Sequence, residues 1–164
     1  LDLTFLSEKY VNWMNDVHVN KFLSSGGDYT LDKLKIFLTE VEKKDILFWA
    51  ILTKNESKHI GNIKIDPIEI KHGICEYGIM MGDKNEWGKG YAKEASKLVI
   101  DYCFKKINLR KMNLGVVESN TKAVNLYNKL HFNVEGKLIN HISLNGKFVN
   151  VLRMSLFNNN YIEK

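Results

Sequence analysis

The stretch Trp87-Gly88-Lys89-Gly90-Tyr91-Ala92 constrains the fold of this 164-residue chain more than any other. A strand-like segment over residues 74–81 precedes it, and an amphipathic helical pattern over residues 93–104 follows it. Because glycine has no Cβ, two glycines one residue apart allow backbone N–H groups to point into one concavity. The first turn of a helix adds unpaired N–H groups and the positive end of the helix dipole. The stretch therefore indicates either a phosphate-binding loop or a plain strand-to-helix turn.

Apolar periodicity predicts alternating helices and strands along the chain. The predicted order is helix 7–20, helix 30–41, strands 46–52, 59–65 and 74–81, helix 92–106, strand 112–117, helix 121–130, and strands 132–140 and 147–157. Ser7 and Thr30 are typical N-caps for the first two helices, and Asn145-Gly146 is a strong hairpin-turn signal. This order predicts one α/β domain over residues 1–164, with a mixed sheet and helices on its faces.

Two predictions concern burial. The near-continuous apolar character of residues 46–52 favours a strand that is covered on both faces. The spacing after the glycine loop predicts that one face of the helix is buried. The residues expected on that face are Ala92, Ala95, Leu98, Val99, Tyr102 and Cys103.

Composition narrows the classes of function. The chain has 24 basic and 19 acidic residues, a formal charge of +5, which favours an anionic partner such as a phosphorylated cofactor. The lysines are scattered and form no dense basic block, so nucleic acid is not the expected partner. No apolar run approaches the ~20 residues of a membrane span. Cys75 and Cys103 are expected to be buried thiols in a cytoplasmic protein, and no Cys/His spacing suggests a metal.

A second motif follows the glycine loop: Asn120-x-x-Ala123-x-x-Leu126-Tyr127-x-Lys129-x-His131-Phe132. Together the two motifs resemble the GNAT N-acetyltransferase superfamily, whose signatures are Gln/Arg-x-x-Gly-x-Gly/Ala and Asn-x-x-Ala-x-x-Leu-Tyr-x-Lys-x-Gly-Phe. Trp87 stands at the Gln/Arg position and His131 at the final Gly, where a helix end normally uses positive φ. The resemblance implies a mostly antiparallel sheet of about six to seven strands flanked by about four helices.

The resemblance also implies direct transfer of an acetyl group from acetyl-CoA to an amine in a ternary complex. It places the pyrophosphate of CoA on the backbone of Gly88, Lys89, Gly90, Tyr91 and Ala92, next to Trp87. It places the pantetheine arm along the strand that ends at Met80 and Met81, where that strand splays from residues 112–116. Backbone N–H groups at that splay are expected to polarise the thioester carbonyl.

Three side chains receive candidate roles. Tyr127 matches the tyrosine that protonates the leaving thiolate, and Asn120 matches a residue that contacts CoA; a core aromatic and a helix cap are the alternatives. Glu76 lies eleven residues before Trp87, at the separation of a catalytic glutamate in some superfamily members. It is the candidate base, and a surface glutamate or a buried, paired glutamate is the alternative.

The acceptor is the least determined part of the prediction. The acceptor side is expected to be built by the first two helices, the loop 22–29 and the hairpin around Asn145. The branch resembled includes acetyltransferases of ribosomal-protein N-termini, of polyamines such as spermidine, and of amino sugars. The positive net charge favours an anionic amino-sugar nucleotide. A spermidine-like or protein N-terminal acceptor and a non-catalytic acyl-CoA-binding module are the alternatives, and the free edge of the hairpin offers a surface for a homodimer.

Overall fold

The computed structural model describes residues 1–23, 26–44 and 46–162. Within these ranges the chain forms five α-helices and six β-strands. The helices are α1 (Glu8–Asn15), α2 (Val17–Asn20), α3 (Leu31–Lys43), α4 (Tyr91–Lys105) and α5 (Thr121–Lys129). The strands are β1 (Leu47–Leu52), β2 (His59–Glu69), β3 (Ile74–Met81), β4 (Lys111–Val117), β5 (Asn133–Leu144) and β6 (Lys147–Phe157). No helix in the described ranges is long and apolar enough to cross a membrane.

The strands form one mixed sheet in the order β1-β2-β3-β4-β6-β5. The pairing of β3 with β4 is parallel, whereas β6 is antiparallel to both β4 and β5. Pairing between β3 and β4 covers only three residue pairs and ends at Glu76 opposite Asn113, although both strands continue. The pairing of β3 with β4 therefore ends at Glu76.

The chain divides into two compact units, and the first comprises residues 1–64 and 79–91. Its core joins α1 to α3 through Tyr10, Val11, Trp13, Met14, Leu34 and Leu38, all buried. Trp13 also packs directly on Gly82, where a Cβ atom would overlap the indole ring. The glycine after β3 is thus required by the aromatic side chain of α1.

The second unit comprises residues 65–78 and 92–164. Alternating side chains of β3, β4 and β6 are buried here, among them Cys75, Tyr77, Met112, Leu114 and Met154. From α4 and the segment after it, Val99, Cys103 and Leu109 are buried, and from α5 onward Tyr127, Leu130 and Phe132 are buried. Both cysteines are free and buried, as expected from the sequence.

The single helix predicted over residues 7–20 is wrong, because Asp16 divides it. Ser7 caps α1 as predicted, its hydroxyl accepting a hydrogen bond from Tyr10 N at 3.2 Å. Asp16 then has extended backbone angles, and its carboxylate accepts from His18 N at 2.8 Å, which starts α2. Aspartate stabilises helix starts better than helix interiors, since its side chain competes for backbone donors. This break accounts for the fifth helix in the described ranges.

The two burial predictions are also corrected. β1 is an edge strand, mostly half-buried, and Leu52 at its end is exposed. In α4 the buried residues are Ser96, Val99, Ile100 and Cys103, whereas Leu98 is 67% and Tyr102 43% exposed. The helix turns a polar residue inward because the Ser96 hydroxyl has buried hydrogen-bonding partners.

Candidate active site

The glycine loop has the backbone conformation that its sequence suggests. Gly88 has φ = 79° and Gly90 has φ = 91°, values that L-residues rarely adopt. A Cβ atom at either position would meet nothing within 4 Å, so the glycines are needed for backbone conformation and not for packing. α4 begins directly afterwards, at Tyr91. Left-handed residues followed by a helix N-terminus are an arrangement in which successive amides can bind a phosphate group.

A hydrogen bond from Trp87 connects this loop to the end of β3. Its indole Nε1 donates a hydrogen bond to the carbonyl oxygen of Met81 at 2.9 Å. Met80 and Met81 are half-buried, and a Cβ at Gly61 would overlap the carbonyl of Met80. The first unit thus brings together the predicted CoA-binding residues of the strand end and of the loop.

A charge network supports the turn between β3 and the glycine loop. Lys58 Nζ lies 3.0 Å from a carboxylate oxygen of Asp83 and 2.9 Å from one of Glu86. Glu86 also pairs with Lys89 at 3.0 Å, and Asp83 with Lys9 of α1 at 3.3 Å. Hydrogen bonds from Lys58 and then Lys89 lower the pKa of Glu86. The loop lysine is therefore held by a carboxylate that stays ionised at neutral pH.

In the second unit, Glu76 lies where the pairing of β3 with β4 ends. Its carboxylate forms an ion pair with the guanidinium of Arg153 on β6. The side chains are 33% and 36% exposed, so solvent and small molecules can reach the pair. Glu76 is thus ion-paired but not buried, and a role for it in proton transfer has to be reconciled with Arg153.

Tyr127 is buried among aromatic rings. Its ring centroid lies 6.1 Å from that of Tyr77, nearly perpendicular to it, and 5.8 Å from that of Phe132. Burial raises the pKa of Tyr127 to about 12, so its hydroxyl is protonated at neutral pH. Successive strand residues face opposite sides, so Glu76 lies on the face of β3 opposite to Tyr77, against which Tyr127 packs. The candidate acid and base are therefore on opposite faces of this strand.

The second motif fixes the ends of α5. Asn120 caps its start, with Oδ1 accepting from Ala123 N at 3.3 Å. His131, which replaces the glycine of the superfamily pattern, has φ = 67°, so the helix end has positive φ although the residue is not glycine. The helix-cap alternative for Asn120 is observed, and contact with CoA stays a prediction.

Two consecutive hydrogen bonds that connect β3 to the start of α4 were not predicted from the sequence. The Tyr77 hydroxyl lies 2.7 Å from Ser96 Oγ, which donates to the carbonyl oxygen of Ala92 at 2.5 Å. With Ser96 as donor to Ala92, Tyr77 is the donor to Ser96. These two hydrogen bonds set the position of Ala92 relative to β3. The only sign of them in the sequence was a serine four residues after Ala92 in a predicted helix.

The roles of Arg153 and of the pair Asp83 and Glu86 were also missed. Arg153 is 77 residues from Glu76 and reaches it only through the pairing of β6 with β4. In the sequence, Asp83 and Glu86 were ordinary turn carboxylates beside several lysines. No group of three or more His, Cys, Asp or Glu side chains that could hold a metal occurs among the residues with described coordinates.

Comparison with known families gives a match over residues 6–133 to the acetyltransferase (GNAT) domain. Among curated proteins, the chain is 36% identical over 107 residues to the spermidine N(1)-acetyltransferase of Escherichia coli K12, covering 65% of this chain and 57% of that protein. It is 34% identical over 113 residues to the uncharacterized N-acetyltransferase p20 of Bacillus licheniformis, covering 69% and 63%. The matched regions thus span less than two thirds of the length of these curated relatives.

Solved structures share the fold. A spermidine N-acetyltransferase from Vibrio cholerae, crystallised with CoA and spermine, superimposes with a TM-score of 0.84 at 24% identity and covers 94% of this chain and 90% of that one. The ribosomal-protein-S5-alanine acetyltransferase from Vibrio fischeri gives a TM-score of 0.79 at 21% identity, covering 96% and 93%. These likenesses confirm the predicted mixed α/β fold.

Proposed function

Because the chain belongs to the acetyltransferase (GNAT) family, we propose that it transfers the acetyl group of acetyl-CoA to a primary amine by direct attack in a ternary complex. The observation that carries the proposal is the family match over residues 6–133, which contains the glycine loop and the whole of the second motif. We take residues 1–164 to act as one N-acetyltransferase domain.

The glycine loop is assigned to cofactor binding. Gly88 to Ala92 present backbone N–H groups to the pyrophosphate of CoA, and positive φ at Gly88 and Gly90 supports this role. Trp87 and Lys89 orient the loop through Met81 and Glu86, respectively. Met80 and Met81 border the pantetheine arm, and Asn120 contacts CoA in addition to capping α5.

The chemical step is assigned to the second unit. Acetyl-CoA supplies the thioester, whose carbonyl carbon is attacked by the lone pair of the amine while the C–S bond breaks. Tyr127 donates its phenolic proton to the leaving thiolate, and its pKa of about 12 supports a protonated resting form. Glu76 accepts a proton from the amine, directly or through water. The positions of Glu76 and Tyr127 on opposite faces of β3 are compatible with separate proton acceptor and donor.

Spermidine is the first acceptor to test, because curated relatives that match this chain are spermidine N(1)-acetyltransferases. The net charge of +5 supports the second candidate, an anionic amino-sugar nucleotide. The two candidates differ in the sign of charge that the acceptor side must attract.

Release of free CoA, followed with a thiol reagent, tests the proposal. The panel contains spermidine, a peptide that begins with Ala or Ser, and a UDP-linked amino sugar, and mass spectrometry of the amine checks that one acetyl group has been added. We expect at least one amine to raise CoA release well above acetyl-CoA hydrolysis. If acetyl-CoA binds and no amine in a broad panel is acetylated, the chain is a non-catalytic acyl-CoA-binding module.

A further inference from the structure

Arg153 reaches Glu76 by crossing a neighbouring strand. In the sheet order, β4 lies between β6, which carries Arg153, and β3, which carries Glu76. Arg153 is paired in register with Gly115 of β4, and Glu76 with Asn113 of the same strand. Two strand spacings amount to about 10 Å, which an extended arginine and a glutamate side chain can span together. Nη2 of Arg153 donates a hydrogen bond to Oε1 of Glu76 at the end of this path.

Gly115 leaves this path open. A Cβ atom at Gly115 would lie 3.1 Å from Nη1 of Arg153, closer than ordinary contact. Gly115 is an exposed position in a strand, where glycine is otherwise disfavoured. The absent side chain leaves room for the guanidinium next to β4. The conformation of Arg153 therefore depends on glycine at position 115.

The ion pair lies where a cationic acceptor would compete with Arg153 for the carboxylate of Glu76. Glu76 is the last residue of β3 that pairs with β4, and both side chains of the ion pair are about one third exposed. Such ion pairs are weak, and one carboxylate holding two cations suffers repulsion between them. Glu135 on β5 is a second carboxylate that interacts with Arg153. A hydrogen bond from Lys111 is the main cause of the lowered pKa of Glu135, and the charge of Arg153 lowers this pKa by a smaller amount.

We propose that Arg153 occupies, in the acceptor-free protein, the place at Glu76 that the ammonium group of a cationic acceptor takes, and so determines acceptor specificity. This inference rests on the proposed role of Glu76 at the acceptor amine. Binding of a polyamine then requires Arg153 to leave Glu76, which weakens polyamine affinity. A neutral or anionic acceptor does not compete for the carboxylate in this way.

The test is calorimetric titration of spermidine into protein saturated with CoA, a complex that cannot turn over. Arg153→Gln is expected to tighten spermidine binding about twofold to fivefold, the range of a partly exposed ion pair. Lys105→Gln is the matched control, because it removes the same charge from an exposed pair with Asp101 on α4. We expect Lys105→Gln to change the affinity for spermidine less than about twofold, because solvent screens this exposed ion pair and it is weak.

Two further variants isolate the cause. Gly115→Ala keeps the charge of Arg153 but obstructs its path, and we expect a smaller gain in the same direction. In the Glu76→Gln background, Arg153→Gln is expected to give no gain, because the carboxylate for which the two cations compete is absent.

The outcomes are decisive for the inference whether or not the protein turns over. Unchanged or weaker spermidine binding by a folded Arg153→Gln variant overturns it, as does a gain that persists without Glu76. If wild-type protein acetylates an amine while Arg153→Gln binds spermidine no better, the inference fails and the proposed function stands. If no amine is acetylated, the proposed function fails, and the binding titrations still measure the competition.

Discussion

Tyr127 carries the most direct residue-level prediction. Tyr127→Phe removes the proposed proton donor but keeps the ring that packs against Tyr77 and Phe132. We expect kcat to fall about 100-fold or more, the usual contribution of a general acid, while the KM for acetyl-CoA changes little. Steady-state kinetics of CoA release measure both quantities. An unchanged kcat would show that another group protonates the thiolate.

Tyr77→Phe is the control for this variant. Tyr77 is also a buried tyrosine of the second unit, but its hydroxyl hydrogen-bonds to Ser96. Loss of that bond is expected to cost about 1 kcal/mol of unfolding free energy, and more if Ser96 is left unsatisfied. The kcat is expected to stay near that of the wild type, so the two variants separate a chemical role from a packing role.

Single residues were predictable where their role is local. Ser7 and Asn120 as helix caps follow from side chains within a few residues of each helix start. The partner of Glu76 was not predictable, because strand pairing brings Arg153 to it across a separation of 77 residues. Sequence pattern identifies the carboxylate and leaves its electrostatic surroundings open.

The glycine loop is the element whose geometry can be tested separately from its stability. Gly90→Ala places a Cβ on a residue with φ = 91°, which costs about 1–2 kcal/mol for a left-handed conformation. If the loop must keep this conformation to bind the pyrophosphate, the KM for acetyl-CoA is expected to rise about fivefold to thirtyfold. The measurement is acetyl-CoA saturation kinetics at fixed amine.

Two other glycines serve as matched controls for the loop. Gly146 has φ = 75° in the hairpin turn, so Gly146→Ala is expected to destabilise the protein without raising the KM for acetyl-CoA. Gly136→Ala meets nothing within 4 Å and has no positive φ, and is expected to be close to neutral. An equal rise in KM for Gly146→Ala and Gly90→Ala would mean that general destabilisation is responsible.

At the scale of the elements, the buried face of α4 depends on tertiary contacts and was not predicted correctly from the sequence. The apolar spacing of α4 favours burial of Leu98 and Tyr102, yet these side chains are exposed and Ser96 is buried. The hydrogen bonds of Ser96 to Tyr77 and Ala92 compensate for burying the hydroxyl. The helix was therefore predictable from periodicity, whereas its inward face depends on a partner from β3.

At the scale of the whole molecule, the sequence predicts the order of helices and strands better than the order of strands in the sheet. The closing hairpin around Asn145-Gly146 was predictable from its turn residues. Insertion of β6 between β4 and β5 was not, because pairing over long sequence separations leaves no local signal. Since β5 ends the sheet, its use as a subunit interface stays a prediction.

Stability is a property of the whole molecule, and His59 provides a prediction of its pH dependence. The imidazole lies among the rings of Phe5, Tyr10 and Trp13, at centroid distances of 4.8, 5.6 and 4.9 Å. Its Nε2 is 2.8 Å from Asn62 Oδ1, an acceptor that a neutral Nε2–H satisfies. Burial lowers the pKa of His59, and hydrogen bonding only partly opposes this.

The sign of the effect follows from proton binding. As the pH falls below about 6.5, the ordinary pKa of histidine, the unfolded chain binds a proton at His59 more readily than the folded chain, in which this pKa is lowered. The unfolding free energy is therefore expected to decrease between about pH 7.5 and pH 5. Carboxylates with lowered pKa values, such as Asp83 and Glu86, lose their contribution at lower pH, below about 4.5.

Urea unfolding, followed by the fluorescence of the tryptophans, measures this dependence at several pH values. His59→Gln replaces the imidazole by a side chain that does not titrate, so its unfolding free energy should fall less steeply over the same interval. The comparison uses slopes, because the substitution also changes the packing against Trp13 and lowers stability at every pH. Equal slopes for the two proteins would show that the pH dependence arises from other groups and that His59 is protonated as readily in the folded chain as in the unfolded one.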